Sequence, residues 1–188
     1  MNIPNSLTLI RILLIPVFVV VFYLNVRWNH VLATAVFALA AITDLMDGYL
    51  ARKLGQTSRL GAFLDPVADK LMIAVALVLL VQEHPTIWLA LPAAVIIGRE
   101  ITVSALREWM AVLGARRKVA VSYTGKIKTV AQMVALLLLI YHVPILGLPI
   151  YEIGMFSLYV AAVLTLWSML QYIYLAWPEL SDKRNTGS

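Results

Sequence analysis

Three observations predict an all-α integral membrane protein of six transmembrane helices. Of the 188 residues, 62% are hydrophobic and only 13% charged, whereas an ordinary soluble domain is about 45–50% apolar and about 25% charged. A soluble fold of this size has too little interior to hide that much apolar surface, and a disordered chain would be polar and charge-rich. The apolar residues form six continuous runs rather than alternating ones, which selects helices over a β-barrel. Finally, 15 of the 25 charged residues fall outside those runs, in the short breaks between them or after the last one.

Each run is long enough to cross a bilayer, which takes about 20 mostly apolar residues. The first, 7–26, is interrupted by Arg11 and is followed by no small-residue cleavage site, so it reads as a retained span, not a signal peptide. The second, 31–50, opens after Asn29 and His30. The third, 65–82, follows a break at Gly55 and Gln56, with Asp65-Pro66 reading as an N-cap followed by a first-turn proline. The fourth, 86–106, follows Glu83-His84-Pro85. The fifth, 127–144, follows the polar stretch from Gly114 to Lys118, and the sixth, 151–176, follows Pro144 to Pro149. With no internal repeat and no linker, the expectation is one membrane domain over 1–176 and a cytoplasmic tail over 177–188.

With the amino terminus inside, the cations obey the positive-inside rule. Arg52, Lys53, Arg59, Lys70, Arg107, Arg116, Arg117, Lys118, Lys126, Lys128, Lys183 and Arg184 fall on or near the cytoplasmic side, and Arg11 and Arg99 lie deeper but nearer that side. Only Arg27 falls outside, together with His30, His84 and His142, which read as interfacial loop residues rather than metal ligands. Trp28, Trp88, Trp109 and Trp177 read as interfacial anchors, and Trp167 as internal packing. The net charge of +5 suits membrane flanks, anionic lipid or a phosphate substrate better than nucleic acid, so no nucleic-acid partner is expected. The chain has no cysteine, which excludes disulfides, thiolate metal sites and thiol nucleophiles.

Four aspartates break the pattern. Asp44 and Asp47 close the second run, and Asp65 and Asp69 open the third. Carboxylates at membrane depth are costly unless paired or metal-bound. Their spacings, i,i+3 and i,i+4, put each pair on one helix face. Two antiparallel neighbouring helices would then hold both pairs at one depth, facing each other. Oxygen ligands without His or Cys favour Mg²⁺, Mn²⁺ or Ca²⁺, and four carboxylates suit a two-metal site for phosphoryl chemistry. The alternative, helix capping with pairing to Arg52, Arg59 and Lys70, accounts for one aspartate well and four poorly. Gly48 and Gly61 remove side chains where a phosphate would approach the backbone, and Arg52 stands at the rim where a diphosphate would bind. Arg107, Lys126 and Lys128 are the cations placed to receive a second phosphate. Lys126 and Lys128 also open a helix whose backbone N–H groups would face that anion. Asn5, Thr8 and Arg11, at i, i+3 and i+6, line one helix face. Arg99 and Glu100 read as cavity-wall support, Glu100 holding Arg107 or a lysine, and Arg116-Arg117-Lys118 as a lipid-headgroup contact.

The stretch Asp44-x-x-Asp47-Gly48-x-x-Ala51-Arg52, eight residues, Gly61-x-x-x-Asp65-x-x-x-Asp69 matches the signature of the CDP-alcohol phosphotransferase family, which the chain resembles. Four further segments resemble bacterial members: Asn5-x-x-Thr8-x-x-Arg11, Arg99 to Met110, Gly125 to Thr129, and Leu164 to Tyr172. The resemblance implies six helices around a polar cavity open to the cytoplasm, a homodimer, and a bacterial cytoplasmic (inner) membrane with both termini cytoplasmic. It implies transfer of a phosphatidyl group from CDP-diacylglycerol to sn-glycerol 3-phosphate, giving phosphatidylglycerophosphate and CMP. It further implies two Mg²⁺ (or Mn²⁺) ions on Asp44, Asp47, Asp65 and Asp69, with Asp69 also the general base. Asn5, Thr8, Gly48, Ala51, Arg52 and Gly61 would bind the CDP-lipid, and Arg107, Lys126 and Lys128 the acceptor phosphate. The alternatives are the same chemistry on another acceptor (a cardiolipin synthase or an inositol-phosphate-type enzyme) and, from a different class, a divalent-cation transporter.

Overall fold

The computed structural model describes residues 3–54, 59–113 and 123–181. They form six helices: α1 (Ile3–Tyr23), α2 (Asn29–Leu54), α3 (Arg59–Glu83), α4 (Ile87–Val112), α5 (Tyr123–Tyr141) and α6 (Ile150–Ser181). Among the described residues there is no strand, only an isolated bridge between Ile145 and Leu148 in the turn before α6. Two helices, Ile87–Val112 and Ile150–Trp177, are long and apolar enough to cross a membrane. Every helix presents large apolar side chains outward, among them Leu13, Leu39, Val78, Ile101, Val130 and Val163, all exposed. A continuous apolar exterior of this kind calls for lipid.

One core cluster draws on all six helices through Phe18, Phe37, Leu77, Leu89, Leu139 and Leu158, all fully buried. Alanines 33, 40, 76, 93, 135 and 161 lie among or beside them and let the backbones approach closely, as in membrane bundles generally. Gly154 is the tightest such point. A Cβ built there would stand 3.0 Å from Leu139 Cγ and 3.1 Å from Leu138 Cβ. Gly154→Val is therefore expected to force α5 and α6 apart at a cost of about 1–3 kcal/mol, read as a lower thermal unfolding midpoint in detergent. Gly98→Ala, whose Cβ meets nothing within 4 Å, is the matched control and should not lower the midpoint.

Several helices run past the expected spans. α3 begins at Arg59, so Asp65 is not its N-cap and Pro66 lies inside it. The proline forfeits one backbone hydrogen bond, but the buried wall formed by Ala68, Met72, Ala76 and Leu80 keeps the helix packed through that point. α2 likewise continues through the first half of the motif to Leu54, and α6 continues through Ser181, so the first residues of the expected tail are helical. Trp28, Trp88, Trp109 and Trp177 are exposed near helix ends, but Trp167 is 59% exposed and faces outward instead of packing inside.

The expected direct pairing of α2 and α3 is also revised. α1 packs against both of them, and so does α5, while α2 and α3 meet little among the described residues. Asp44 of α2 and Asp69 of α3 therefore share a cavity lining rather than a close helix–helix contact.

Candidate active site

Toward the end of the bundle where α2 finishes and α3 begins lies a polar cavity of about 310 Å³, to which α2 contributes Asp44, α3 Asp69 and Lys70, α4 Arg99, Glu100 and Arg107, α5 Lys128, Thr129 and Gln132, and α6 Tyr172. Helical spacing puts these side chains on one wall each. Lys128 and Gln132 are i,i+4 on α5, and Thr165, Ser168 and Tyr172 are i, i+3 and i+7 on α6, all buried. A narrower crevice behind the cavity holds Arg11 beside Asp44 and Asp69. Thr8 and Arg11 are both buried on the same face of α1.

Charges in the wall are paired with short contacts. Arg11 Nη1 donates to Asp44 Oδ1 at 2.7 Å, with Arg11 1% exposed. Glu100 Oε1 accepts from both Arg99 Nη1 and Lys128 Nζ, each at 2.8 Å. Arg99 Nη2 donates to Ser168 Oγ at 2.9 Å, and Arg107 Nη2 to the Tyr172 hydroxyl at 2.6 Å. The Tyr172 ring also lies beneath the Arg107 guanidinium, 5.0 Å from its carbon, a favourable cation–π geometry. Arg99 Nε, Arg107 Nε and Gln132 Nε2 are buried donors with no acceptor among the described residues. Buried donors without partners are costly, and three beside one cavity favour an anionic ligand.

The structure brings together four of the expected site residues in the lining of one cavity: Asp44, Asp69, Arg107 and Lys128. Thr8 lies buried one helical turn from Arg11, and Gly61 lies in α3. Asp47, Gly48, Ala51 and Arg52 belong to α2, Asp65 to α3, Asn5 to α1 and Lys126 to α5, but the side-chain surroundings of these seven lie outside the described residues, as does the Arg116–Lys118 run. One expectation changes. α5 starts at Tyr123, so Lys128 sits beyond its first turn, where the backbone N–H is already bonded within the helix, and an anion would meet the Lys128 side chain instead.

Four residues had no assigned role in the sequence reading: Gln132, Ser168, Tyr172 and, as partner of Asp44, Arg11. A signal for the first three was present, as polar residues at helical spacing in otherwise apolar helices. The Arg11–Asp44 pair had none, because it joins residues 33 positions apart on different helices.

Asp44 and Asp69 offer hard oxygen donors, which fit Mg²⁺ or Mn²⁺. A carboxylate has about four lone-pair sites, so the Arg11 contact at Oδ1 does not exhaust Asp44. Beside the cavity, and sharing Pro66, Lys70, Ile73 and Glu100 with it, lies an apolar recess of about 330 Å³ between α3 and α4.

An all-helical bundle with a lipid-compatible exterior and an inner cavity of carboxylates facing cations defines a membrane protein built to handle a charged phosphate group. The family model for CDP-alcohol phosphatidyltransferase matches residues 1–167, and the chain belongs to that family. Members are generally dependent on a divalent metal. The chain is 59% identical over 181 residues to the CDP-diacylglycerol–glycerol-3-phosphate 3-phosphatidyltransferase of Pseudomonas fluorescens, covering 96% of this chain and 92% of the relative. It is 54% identical over 182 residues to the protein of that name from Escherichia coli (strain K12), covering 97% and 98% respectively.

Proposed function

We propose that the chain transfers the phosphatidyl group of CDP-diacylglycerol to sn-glycerol 3-phosphate, giving phosphatidylglycerophosphate and CMP. The observation that carries this reading is a cavity lined by both Asp44 and Asp69 and by Arg107 and Lys128, on a chain similar over nearly its whole length to relatives bearing that enzyme name. The acidic side suits the metal-held diphosphate, and the basic side suits an acceptor that carries its own phosphate.

In the proposed reaction Asp69 takes the proton of the acceptor hydroxyl. The oxygen then attacks the phosphorus bearing diacylglycerol, and the bond from that phosphorus to the bridging oxygen breaks, so CMP leaves with the electron pair. Mg²⁺ or Mn²⁺, as two ions held by Asp44, Asp47, Asp65 and Asp69, would neutralise the diphosphate and the charge that develops on it. Asn5, Thr8, Gly48, Ala51, Arg52 and Gly61 would hold the CDP-lipid, with the apolar recess between α3 and α4 taking part of its hydrocarbon. Arg107, Lys126 and Lys128 would position the acceptor phosphate. Residues 1–176 form the membrane domain, with all six helices spanning a bacterial cytoplasmic (inner) membrane. The cavity and both termini face the cytoplasm, and the chain works as a homodimer.

A cation-transport function is less well supported, because the helices that carry Asp44, Asp69 and Lys128 continue outward into the closed apolar core of Phe37, Leu77, Leu80, Leu136 and Leu139, which offers an ion no polar path.

Membranes containing the protein, incubated with CDP-diacylglycerol, Mg²⁺ and one acceptor at a time, test the reading. Phosphatidylglycerophosphate is expected from sn-glycerol 3-phosphate; product only from phosphatidylglycerol, or only from an inositol phosphate, would overturn it. Lys128→Met is expected to raise KM for sn-glycerol 3-phosphate by about 10- to 100-fold, the worth of one charge-assisted hydrogen bond. KM for CDP-diacylglycerol should change little, and steady-state kinetics with each substrate varied in turn separates the two.

A further inference from the structure

At the end of the bundle opposite the cavity lies a second polar cluster, which the transfer reaction does not use. His30 is the second residue of α2, Glu83 ends α3, His84 follows it directly, and His142 follows α5. Residues from three separate helix ends thus meet at one point. The His30 and His142 ring centroids are 4.0 Å apart, His84 and His142 are 5.7 Å apart, and His30 Nδ1 is 3.9 Å from Glu83 Oε1. One ligand atom from each of His30, Glu83 and His142 falls within 4.8 Å of the other two.

Two features make this more than a chance gathering of interfacial side chains. Glu83 Oε2, His84 Nε2 and His142 Nδ1 are buried and have no hydrogen-bond partner among the described residues, so the lone pairs and protons of this cluster are not satisfied by one another. His142 is also held at a backbone φ of +32°, a conformation that non-glycine residues rarely adopt and that tends to persist where the surroundings or a function demand it.

We propose that His30, Glu83 and His142 form a binding site for a divalent transition-metal cation of the Zn²⁺ class, with water completing its coordination and His84 beside the site. Two imidazoles and a carboxylate are a common Zn²⁺ donor set, whereas Mg²⁺ and Ca²⁺ take oxygen ligands. Metal–ligand bonds of about 2.0–2.2 Å draw such donors closer together than they now stand, which side-chain rotation supplies. One cation would satisfy the orphaned atoms together and tie the ends of α2, α3 and α5 to one another. This site is separate from the carboxylate cavity in position and in donor chemistry: it is nitrogen-rich where the cavity offers oxygen.

Co²⁺ is the probe, added to full-length protein purified without a histidine tag and kept in excess Mg²⁺ to occupy oxygen sites. The expected result is one equivalent of Co²⁺ giving the intense visible bands of a four-coordinate ion, displaced by Zn²⁺. His30→Gln and His142→Gln should each weaken binding at least about tenfold, while Asp69→Asn leaves the bands unchanged. X-ray absorption of the Zn²⁺-loaded wild-type protein needs no variant and should show imidazole scattering. The proposal is overturned by the absence of bands in the wild type, by bands that survive both histidine substitutions or vanish in Asp69→Asn, or by an oxygen-only shell around zinc.

Discussion

Asp69→Asn is expected to lower turnover by about 10²–10⁴-fold, the usual contribution of a positioned general base, with the fold intact. The substitution keeps the shape of the side chain and removes its charge and basicity. Asp69 lines the cavity together with Lys70, Arg99, Arg107 and Lys128. An unchanged thermal midpoint with CMP release down by at least two orders of magnitude is the expected pair of results. A kcat within threefold of wild type would remove Asp69 from the mechanism.

The second large effect is expected at Asp44, where stability and catalysis separate. Arg11 is 1% exposed and donates to Asp44 at 2.7 Å, with the Asp44 side chain 29% exposed. Asp44→Asn therefore removes the charge that faces a fully buried guanidinium. Breaking a buried pair from one side costs about 3–5 kcal/mol, and the partial exposure of Asp44 puts this case near about 3 kcal/mol. Replacing both partners removes the buried guanidinium along with its Asp44 contact, so Arg11→Met with Asp44→Asn should recover most of that loss. Activity should stay absent in both variants, because the carboxylate is the proposed metal ligand. Unfolding midpoints and CMP release on the same preparations decide the matter. A double variant no more stable than Asp44→Asn alone would show that the pair is not what holds α1 against α2.

Much of this site was legible before any fold. The six apolar runs specify six helices, because backbone groups in lipid have no other partner than their own helix. The signature from Asp44 to Asp69 places its carboxylates by spacing alone, since i,i+3 and i,i+4 residues share a face wherever the helix sits. Helix ends were less legible. Asp65-Pro66 carries the local marks of a helix start, yet α3 begins six residues earlier at Arg59, because packing of its buried face outweighs one missing hydrogen bond. Trp167 looked like core from its position mid-helix, but which side of a uniformly apolar helix faces lipid is set by its neighbours, and its ring is exposed.

By itself the sequence determined the solvent, the number of helices and the residues able to carry phosphoryl-transfer chemistry, because composition and periodicity are properties of the chain. Only the tertiary structure decided which charges meet. Arg11 with Asp44, Glu100 with Arg99 and Lys128, Arg107 with Tyr172, and the gathering of His30, Glu83 and His142 at the far end are mostly contacts between helices. Such contacts depend on how each helix is rotated and on which neighbours it packs against. α1 and α5 each pack against both α2 and α3, and Asp44 and Asp69, from the two halves of the motif, line one cavity.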